Sequence, residues 1–235
     1  MPIAQIDELR QLATDGPRAD LQLLLHAIHA SNISHLSSLH LRGKVLFAEG
    51  EPAGGVFVLR TGRASVSIAS SEGRVVILRI AQAGDVLGLN SVLRNSTYNT
   101  TLKTIEPCRT DFISAAELKE LMERSQPGAR AILQILSREI AELTERARSL
   151  LLPQTAHARL ARLLLEWCEE SEVNNSHTFR IDRVFTQEEI AQMICSSRET
   201  VTRSLASLSR RRLIQITSDS ILISDRAALE KIALG

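Results

Sequence analysis

The chain has 235 residues, which is more than one ordinary domain needs and enough for two small ones. Apolar residues make up 44% and charged residues 23%, and these values exclude a wholly disordered chain. The formal net charge of +1 excludes a protein that coats nucleic acid through its overall charge, although it leaves room for a locally basic face.

The cysteines and the termini narrow the class further. Cys108, Cys168 and Cys195 lie far apart with no C-x-x-C pair, so we expect neither a disulfide framework nor a zinc site. No basic stretch followed by an apolar core opens the chain, and its apolar runs are far shorter than a membrane span. We therefore expect a cytoplasmic protein without a metal or another cofactor.

The first segment with a clear pattern is 20–40, where leucines and isoleucines recur at helical spacing up to Leu36 and Leu39, with a break near Asn32. Four histidines fall in or beside it, at positions 26, 29, 35 and 40. We interpret them as surface or partly buried side chains, because no cysteine or carboxylate accompanies them as a second type of metal ligand.

From Gly43 the sequence changes to short runs in which apolar and polar residues alternate, as at Ala64, Val66 and Ile68, with turn-forming residues between the runs. Eight of the eleven glycines lie between Gly43 and Gly88, so turn-forming residues are concentrated there. Short strands joined by glycine-containing turns predict an antiparallel barrel or sandwich. A further strand is predicted to end at Cys108.

After Pro127 a helical pattern runs for about 25 residues. Its apolar positions follow the 3-4-3-4-3 spacing of a coiled-coil seam: Leu133, Leu136, Ile140, Leu143, Ala147 and Leu150. So narrow a stripe favours a two-stranded coiled coil over the alternative, a helix that lies on its own domain's core. Pro153 should end the helix and place a boundary within 151–157.

A helix-turn-helix pattern follows. Thr186 and Glu189 form a capping box at the start of a helix. After a break at Cys195-Ser196, either Ser196 or Ser197 should cap a second helix, with Ser196 and Glu199 as a second capping box. In each helix a set of apolar residues should face inward: Ile190, Met193, Ile194, Val201, Leu205 and Leu208.

The outward positions at the start of the second helix carry the chemistry of base recognition: Arg198, Glu199, Thr202 and Arg203. Arginine matches the acceptors of guanine in the major groove, and glutamate accepts from cytosine N4. Residues 196–214 hold five arginines against one acid, which suits contact with phosphates. The runs LIQIT and SILIS then predict a β-hairpin wing. The alternative is a plain helical hairpin with a solvated charged face.

The string TQEEIAQMICSSRETVTRSLASLSRRRLI resembles the helix-turn-helix of the CRP/FNR (catabolite activator/fumarate-nitrate reduction) family of bacterial transcription regulators. Upstream, GKVLFAEGEPAGGVFVLRTGRASV and AQAGDVLGL resemble the family's cyclic-nucleotide-binding β-roll. The resemblance implies an α+β chain with an antiparallel β-roll sensor domain (1–127), a dimerisation helix (128–152) and a winged helix-turn-helix (153–235). It also implies a homodimer that contacts RNA polymerase.

By the same resemblance, Arg198, Glu199 and Arg203 read a TGTGA-type half-site of a pseudo-palindrome. Thr202 is placed to contact a thymine methyl or a phosphate. The other candidate DNA contacts are Ser197, Thr186, Arg211 and Arg212. Cys195 stands where the family often has glycine, so we expect it to adopt a positive φ at some strain.

The effector pocket that the resemblance implies is degenerate. Cyclic-AMP-binding members hold the ribose with a glutamate where this chain has Leu89, and they hold the phosphate with an arginine-serine pair. Here that pair aligns with Tyr98-Asn99 or Asn99-Thr100, and the residue beside the purine aligns near Thr144. Because no guanidinium remains for the phosphate, we expect a regulator that cyclic AMP does not control. The first 107 residues contain no cysteine, which excludes the family's four-cysteine iron–sulfur cluster.

Two other functional classes compete with a DNA-binding regulator. One is a β-roll that senses a ligand or redox state and whose output is a protein–protein contact, a reading that the complete helix-turn-helix disfavours. The other is an enzyme, and we find no nucleophile–base pairing, phosphate loop or metal-ligand spacing that would support it.

Overall fold

The computed structural model describes residues 19–151, 155–169, 179–182, 185–217 and 219–234. They form two compact units. The first contains the described residues up to Ile68 together with Arg79–Leu143, and the second contains Ala69–Leu78 together with the described residues from Thr144 onward. No described helix is both long enough and apolar enough to cross a bilayer.

The N-terminal part of the described chain contains four helices and eight strands. The helices are α1 (Ala19–Ala30), α2 (Leu89–Leu93), α3 (Ala115–Arg124) and α4 (Gln126–Leu151), the last of which has residues in both units. The strands are β1 (Leu36–His40), β2 (Val45–Phe47), β3 (Gly55–Thr61), β4 (Ala64–Ala69), β5 (Val75–Ala81), β6 (Val86–Leu87), β7 (Thr101–Thr104) and β8 (Cys108–Ser114).

These strands form two four-stranded sheets with the orders β1-β8-β3-β6 and β2-β7-β4-β5. The pairings between β1 and β8, β3 and β8, β3 and β6, β2 and β7, and β4 and β7 are antiparallel, so the predicted antiparallel β-roll is confirmed.

Two details of the sequence reading are wrong. Leu36 and Leu39 lie in the edge strand β1 rather than on a helix, and Cys108 begins β8 instead of ending a strand.

Side chains of the sheet β1-β8-β3-β6 point alternately to two hydrophobic clusters. Val58 and Ile113 face a cluster that α1, α3 and the start of α4 complete. Leu59 and Cys108 face the opposite way, into a cluster with Phe47 and Tyr98 in the interior of the roll. The period-2 alternation of the strands thus gives one sheet two buried faces.

Helix α4 carries two different apolar stripes. Ala131, Ile132 and Ile135 are fully buried in the first cluster. The predicted seam is largely uncovered, since Leu133 is 64% and Ile140 66% exposed. The long helix is confirmed. Its first stripe packs on its own unit, as one of the two alternatives predicted, and the coiled-coil alternative for the second stripe stays a prediction.

The second unit has the arrangement of a winged helix-turn-helix. Its helices are α5 (Ala156–Glu169), α6 (Gln187–Met193), α7 (Arg198–Arg210) and α8 (Arg226–Ala233). Strands β9 (Phe179–Asp182), β10 (Ile214–Ile216) and β11 (Ser220–Ile223) form an antiparallel sheet in the order β10-β11-β9. The predicted wing is therefore confirmed as β10–β11, whereas the predicted break at Pro153 lies outside the described residues.

A half-buried ion cluster joins α4 to the roll within the first unit. It contains two guanidiniums and four carboxylates: Arg79, Arg138, Asp20, Asp85, Glu139 and Glu142. Arg79 lies 2.6 Å from Asp85 and 3.4 Å from Glu139. Burial is the main cause that raises the pKa of Glu139 and Glu142, and nearby carboxylates raise it further.

The raised pKa of Glu139 predicts a pH-dependent stability. The folded state holds a proton on Glu139 more readily than the unfolded chain does, so stability falls as pH rises through that window. Glu139→Gln makes the group permanently neutral. We expect the urea midpoint of the variant minus that of wild type to be larger at pH 8 than at pH 5. Glu123→Gln, at a 66% exposed side chain on α3, serves as the control. An equal offset for Glu139→Gln at both pH values would contradict the prediction.

Candidate nucleic-acid interface

Helix α6 begins as the sequence predicts. The Thr186 hydroxyl accepts a hydrogen bond from the Glu189 backbone N–H at 3.1 Å, and the Glu189 carboxylate accepts from the Thr186 backbone N–H at 2.7 Å. This capping box satisfies two N–H groups that have no partner inside the helix. Ile190, Met193 and Ile194 are buried, so the predicted inward stripe is confirmed.

The turn between α6 and α7 depends on a left-handed residue. Cys195 has a φ of 50°, as the sequence predicts. The Ser196 backbone N–H donates to the Ala191 carbonyl at 2.9 Å, a bond that is typical of a helix ending in the Schellman motif. Cys195 has a Cβ at a position that favours glycine, and the turn therefore carries backbone strain.

Three guanidiniums donate hydrogen bonds to consecutive carbonyls at the end of α6, all within the second unit. Arg146 donates to Met193, Arg159 Nε donates to Ile194 at 2.7 Å, and Arg74 donates to Cys195 at 3.1 Å. Positive charge is favourable at the negative end of a helix. Burial lowers the pKa of Arg146, whose Nε has no partner in the described part of the chain.

Ser197 caps α7. Its hydroxyl accepts from the Thr200 backbone N–H at 3.2 Å. The predicted capping box of Ser196 and Glu199 is wrong, because the Schellman turn places Ser196 one residue before the cap. Val201, Leu205 and Leu208 are buried, which confirms the inward face of this helix.

The opposite face of α7 presents its charged and polar side chains to solvent. Arg198, Glu199, Thr202 and Arg203 are all exposed, as predicted. The pKa of Glu199 is lowered, first by a hydrogen bond from its own backbone N–H and then by one from the Ser197 hydroxyl. An ionised Glu199 acts only as a hydrogen-bond acceptor, which is the property needed to recognise an amino group.

The structure adds Gln187 to the residues that sequence reasoning found. The Thr202 hydroxyl lies 2.7 Å from Gln187 Oε1 and 2.9 Å from the Arg198 carbonyl oxygen, and it can donate to either. Gln187 is the first residue of α6 and Thr202 lies one turn into α7, so this contact links the two helices. The sequence pattern places Thr202 one turn after Arg198 but does not indicate that Gln187 on α6 is its partner.

The C-terminal end of α7 is strongly basic. Arg210, Arg211 and Arg212 are exposed. Arg212 has a φ of 59°, and the Leu213 backbone N–H donates to the Leu208 carbonyl at 3.1 Å. This is a second Schellman ending without glycine, and it directs the chain into β10.

The residues aligned with the effector pocket lie in different surroundings. Leu89 is 1% exposed within the hydrophobic cluster around α1, and Thr144 is exposed on α4. Tyr98 is buried in the roll interior, where its ring stacks on Phe47 with centroids 3.9 Å apart. Its hydroxyl donates to the Gly55 carbonyl at 2.6 Å, and burial raises its pKa.

The two residues after Tyr98 are bound locally or partly covered. Asn99 is exposed, and its Oδ1 accepts from the Ser91 hydroxyl at 3.1 Å. Thr100 is half-buried.

Two family models match the chain. A model of the Crp-like helix-turn-helix domain matches residues 158–232, and a model of the cyclic nucleotide-binding domain matches residues 40–125. The first match covers the capped helix pair and the wing, and the second covers most of the β-roll.

Relatives and solved structures agree with both models. A CRP-like cAMP-activated global transcriptional regulator of Mycobacterium tuberculosis is 27% identical over 190 residues, covering 81% of this chain and 84% of the relative. A global nitrogen regulator of Synechococcus elongatus is 28% identical over 193 residues, covering 81% of this chain and 86% of the relative. The structure of the c-di-GMP responsive global regulator CLP of Xanthomonas campestris matches the fold with a TM-score of 0.73 at 21% identity. The match covers 85% of this chain and 98% of that one.

The position of the α7 cap gives a direct test of the turn geometry. Ser197→Ala removes the acceptor for the Thr200 N–H and should lower the free energy of unfolding by about 1 kcal/mol. Ser196→Ala is the matched control and should leave stability unchanged within about 0.5 kcal/mol. Urea unfolding of the full chain measures both. A loss confined to Ser196→Ala would instead place the cap at Ser196, the other candidate that the sequence offers, and would contradict the turn geometry.

Proposed function

We propose that this chain, which belongs to the CRP/FNR family of transcription regulators, binds a pseudo-palindromic TGTGA-type DNA site as a homodimer without control by cyclic AMP. The family membership establishes a regulator with a DNA-binding helix-turn-helix domain. The site, the dimer and the independence from cyclic AMP go further, and each has its own support.

The exposed start of α7 supports the choice of site. Arg198 and Arg203 flank the ionised Glu199 on one helix face. In a helix-turn-helix, the N-terminal residues of the second helix reach the base edges of the major groove. Two guanidiniums and one carboxylate are the donors and acceptor that guanine and cytosine require. This face is the single observation that carries the proposal.

The remaining candidates contribute to positioning rather than to base reading. Arg211 and Arg212 are exposed cations suited to phosphates. The hydroxyls of Thr186 and Ser197 are engaged in helix caps, so each acts chiefly by holding its helix. Donation from the Thr202 hydroxyl to DNA would replace its contact with Gln187 or the Arg198 carbonyl, whereas contact through its methyl group would leave both in place.

The uncovered seam of α4 supports a homodimer. Leu133, Ile140 and Leu143 are 46–66% exposed, although they follow a heptad spacing. A second copy of the same helix would bury this stripe, since a heptad seam is complementary to itself. Two-fold symmetry of the protein in turn requires a two-fold symmetric site on DNA.

The interior of the roll supports independence from cyclic AMP. Tyr98 and Phe47 fill space there with stacked rings, and the Tyr98 hydroxyl is bound to Gly55. A cyclic phosphate would meet no guanidinium at this position, and the apolar Leu89 side chain cannot accept a hydrogen bond from the ribose. The relatives named above include one activated by cAMP and one responsive to c-di-GMP, so membership of the family does not fix the effector.

Selection of DNA from a random pool by ligand-free protein tests site, symmetry and ligand requirement together. We expect an inverted repeat of TGTGA type whose enrichment is unchanged by saturating cyclic AMP. Arg198→Ala should cost about 1–3 kcal/mol at the selected site and relax the preference at one guanine. Arg211→Ala should weaken all sequences alike and reduce the salt slope by about 1. Selection of DNA only in the presence of cyclic AMP, or equal loss of specificity in both variants, would contradict the proposal.

The dimer is tested at the centre of the seam. Ile140→Asp places a charge where two helices would meet, and we expect it to yield monomers in sedimentation equilibrium at concentrations where wild type is a dimer. Gln134→Asp, at an exposed position of α4 outside the seam, is the control and should remain dimeric. Circular dichroism should be unchanged because Ile140 is 66% exposed within one chain. A wild type that sediments as a monomer would refute the homodimer.

A further inference from the structure

A cavity lies within the first unit, on the face of the sheet that points away from Tyr98 and Phe47. Its volume is about 390 Å³, which lies within the range of about 300–1,000 Å³ typical of small-molecule sites. It forms where α1 ends above β1, β8 and β3. Helix α1 stops at Ala30, and Asn32, with a φ of 52°, turns the chain into β1, so that among the described elements α1 covers only part of this face.

The cavity is apolar where α1 covers the sheet. Leu25 and Ile28 come from the last turns of α1, and Val58 and Ile113 come from β3 and β8. The latter two residues and Ile28 are at most 2% exposed and belong to the first hydrophobic cluster. A ligand in this part of the cavity would contact hydrocarbon on both sides.

The cavity is polar beyond the end of α1. Arg109 and Asp111 follow Ile113 on the same side of β8 at every second residue. A β-bulge in β3 between Leu59 and Thr61 leaves both Arg60 and Thr61 lining the same space. One continuous cavity thus has an apolar part and a polar part built on the same two strands.

The charges in the polar part are unequally paired. The Asp111 carboxylate accepts a hydrogen bond from the Ser37 hydroxyl and lies 3.5 Å from Arg60 Nε. Arg109 makes no hydrogen bond or ion pair with any side chain that the structure describes. After Asp111 is matched by Arg60, the charge that remains for a ligand is the guanidinium of Arg109.

We propose that this cavity binds a small organic acid with an aliphatic body. The carboxylate would contact Arg109 in the paired geometry that a guanidinium offers to two oxygens. The hydrocarbon would lie against the partly buried Leu25, at the edge of the hydrophobic cluster that contains Ile28 and Val58. The site is separate from the roll interior, because Arg109 and Cys108 are neighbours on β8 that point to opposite faces of one sheet.

Calorimetry of the full chain with octanoate as the probe tests the site. We expect saturable binding of one octanoate per chain, and affinity should rise about threefold to fourfold per methylene from butanoate to octanoate. Arg109→Gln should weaken octanoate binding about 10- to 100-fold. Octanamide, which has the same body without the charge, should bind wild type as weakly as octanoate binds the variant.

The control is Arg94→Gln, which removes the same charge from an exposed position after α2 that does not line the cavity. It should bind octanoate like wild type, and thermal melts should show that both variants are folded. The proposal is overturned if octanoate shows no saturable binding or if Arg109→Gln binds it as tightly as wild type. Affinity that is independent of chain length overturns it as well, because the apolar part would then be empty. None of these readouts depends on DNA binding.

Discussion

The left-handed conformation of Cys195 is the constraint on which the exposed polar face of α7 depends. Only the four residues 194–197 separate α6 from α7, and within this short connection Cys195 reverses the chain with a φ of 50°. The turn fixes the cap at Ser197 and therefore the rotational setting of α7. With that setting, Val201, Leu205 and Leu208 point inward while Arg198, Glu199 and Arg203 point outward.

The strain of this turn is offset by its surroundings in the second unit. Arg146, Arg159 and Arg74 each donate to one of the three successive carbonyls of residues 193–195. Charge-assisted hydrogen bonds are about twice as strong as neutral ones, so together they can hold a conformation that a Cβ disfavours. A chain with a net charge of only +1 thus uses arginine in two ways, for holding the turn and for presenting charge to solvent on α7.

Sequence patterns predicted those features that local chemistry determines. The capping box of Thr186 and the two strands of the wing are fixed by residues close in sequence, and the structure confirms them. The interpretation failed where spacing is ambiguous. Leu36 and Leu39 are three apart, as on one side of a helix, but in the edge strand β1 they lie on opposite faces and both are at least 70% exposed.

Other features had no sequence signal. Some are decided by the geometry of a local turn, and others depend on the meeting of distant segments. Ser196 and Ser197 are equivalent as caps until the Schellman turn selects one of them. The partners of Arg79 on α4 are about 60 residues away, and the cavity beside Arg109 requires α1 to end above β8. Arg212 was predicted as a phosphate contact, and nothing in its type indicated a left-handed helix ending.

The composition of α4 explains why the proposed dimer would stabilise chiefly the second half of this helix. Up to Ile135 the helix is anchored by fully buried apolar side chains, Ala131, Ile132 and Ile135. After Ile135, the side of the helix that faces the roll carries Arg138, Glu139 and Glu142, which form half-buried ion pairs. The attraction within these pairs is largely cancelled by the cost of removing the charges from water, so they add little net stability. The apolar residues of this half, Ile140 and Leu143, lie instead on the exposed seam. Burial of the seam by a second chain would supply the hydrophobic stabilisation that the first unit gives only to the first half of the helix.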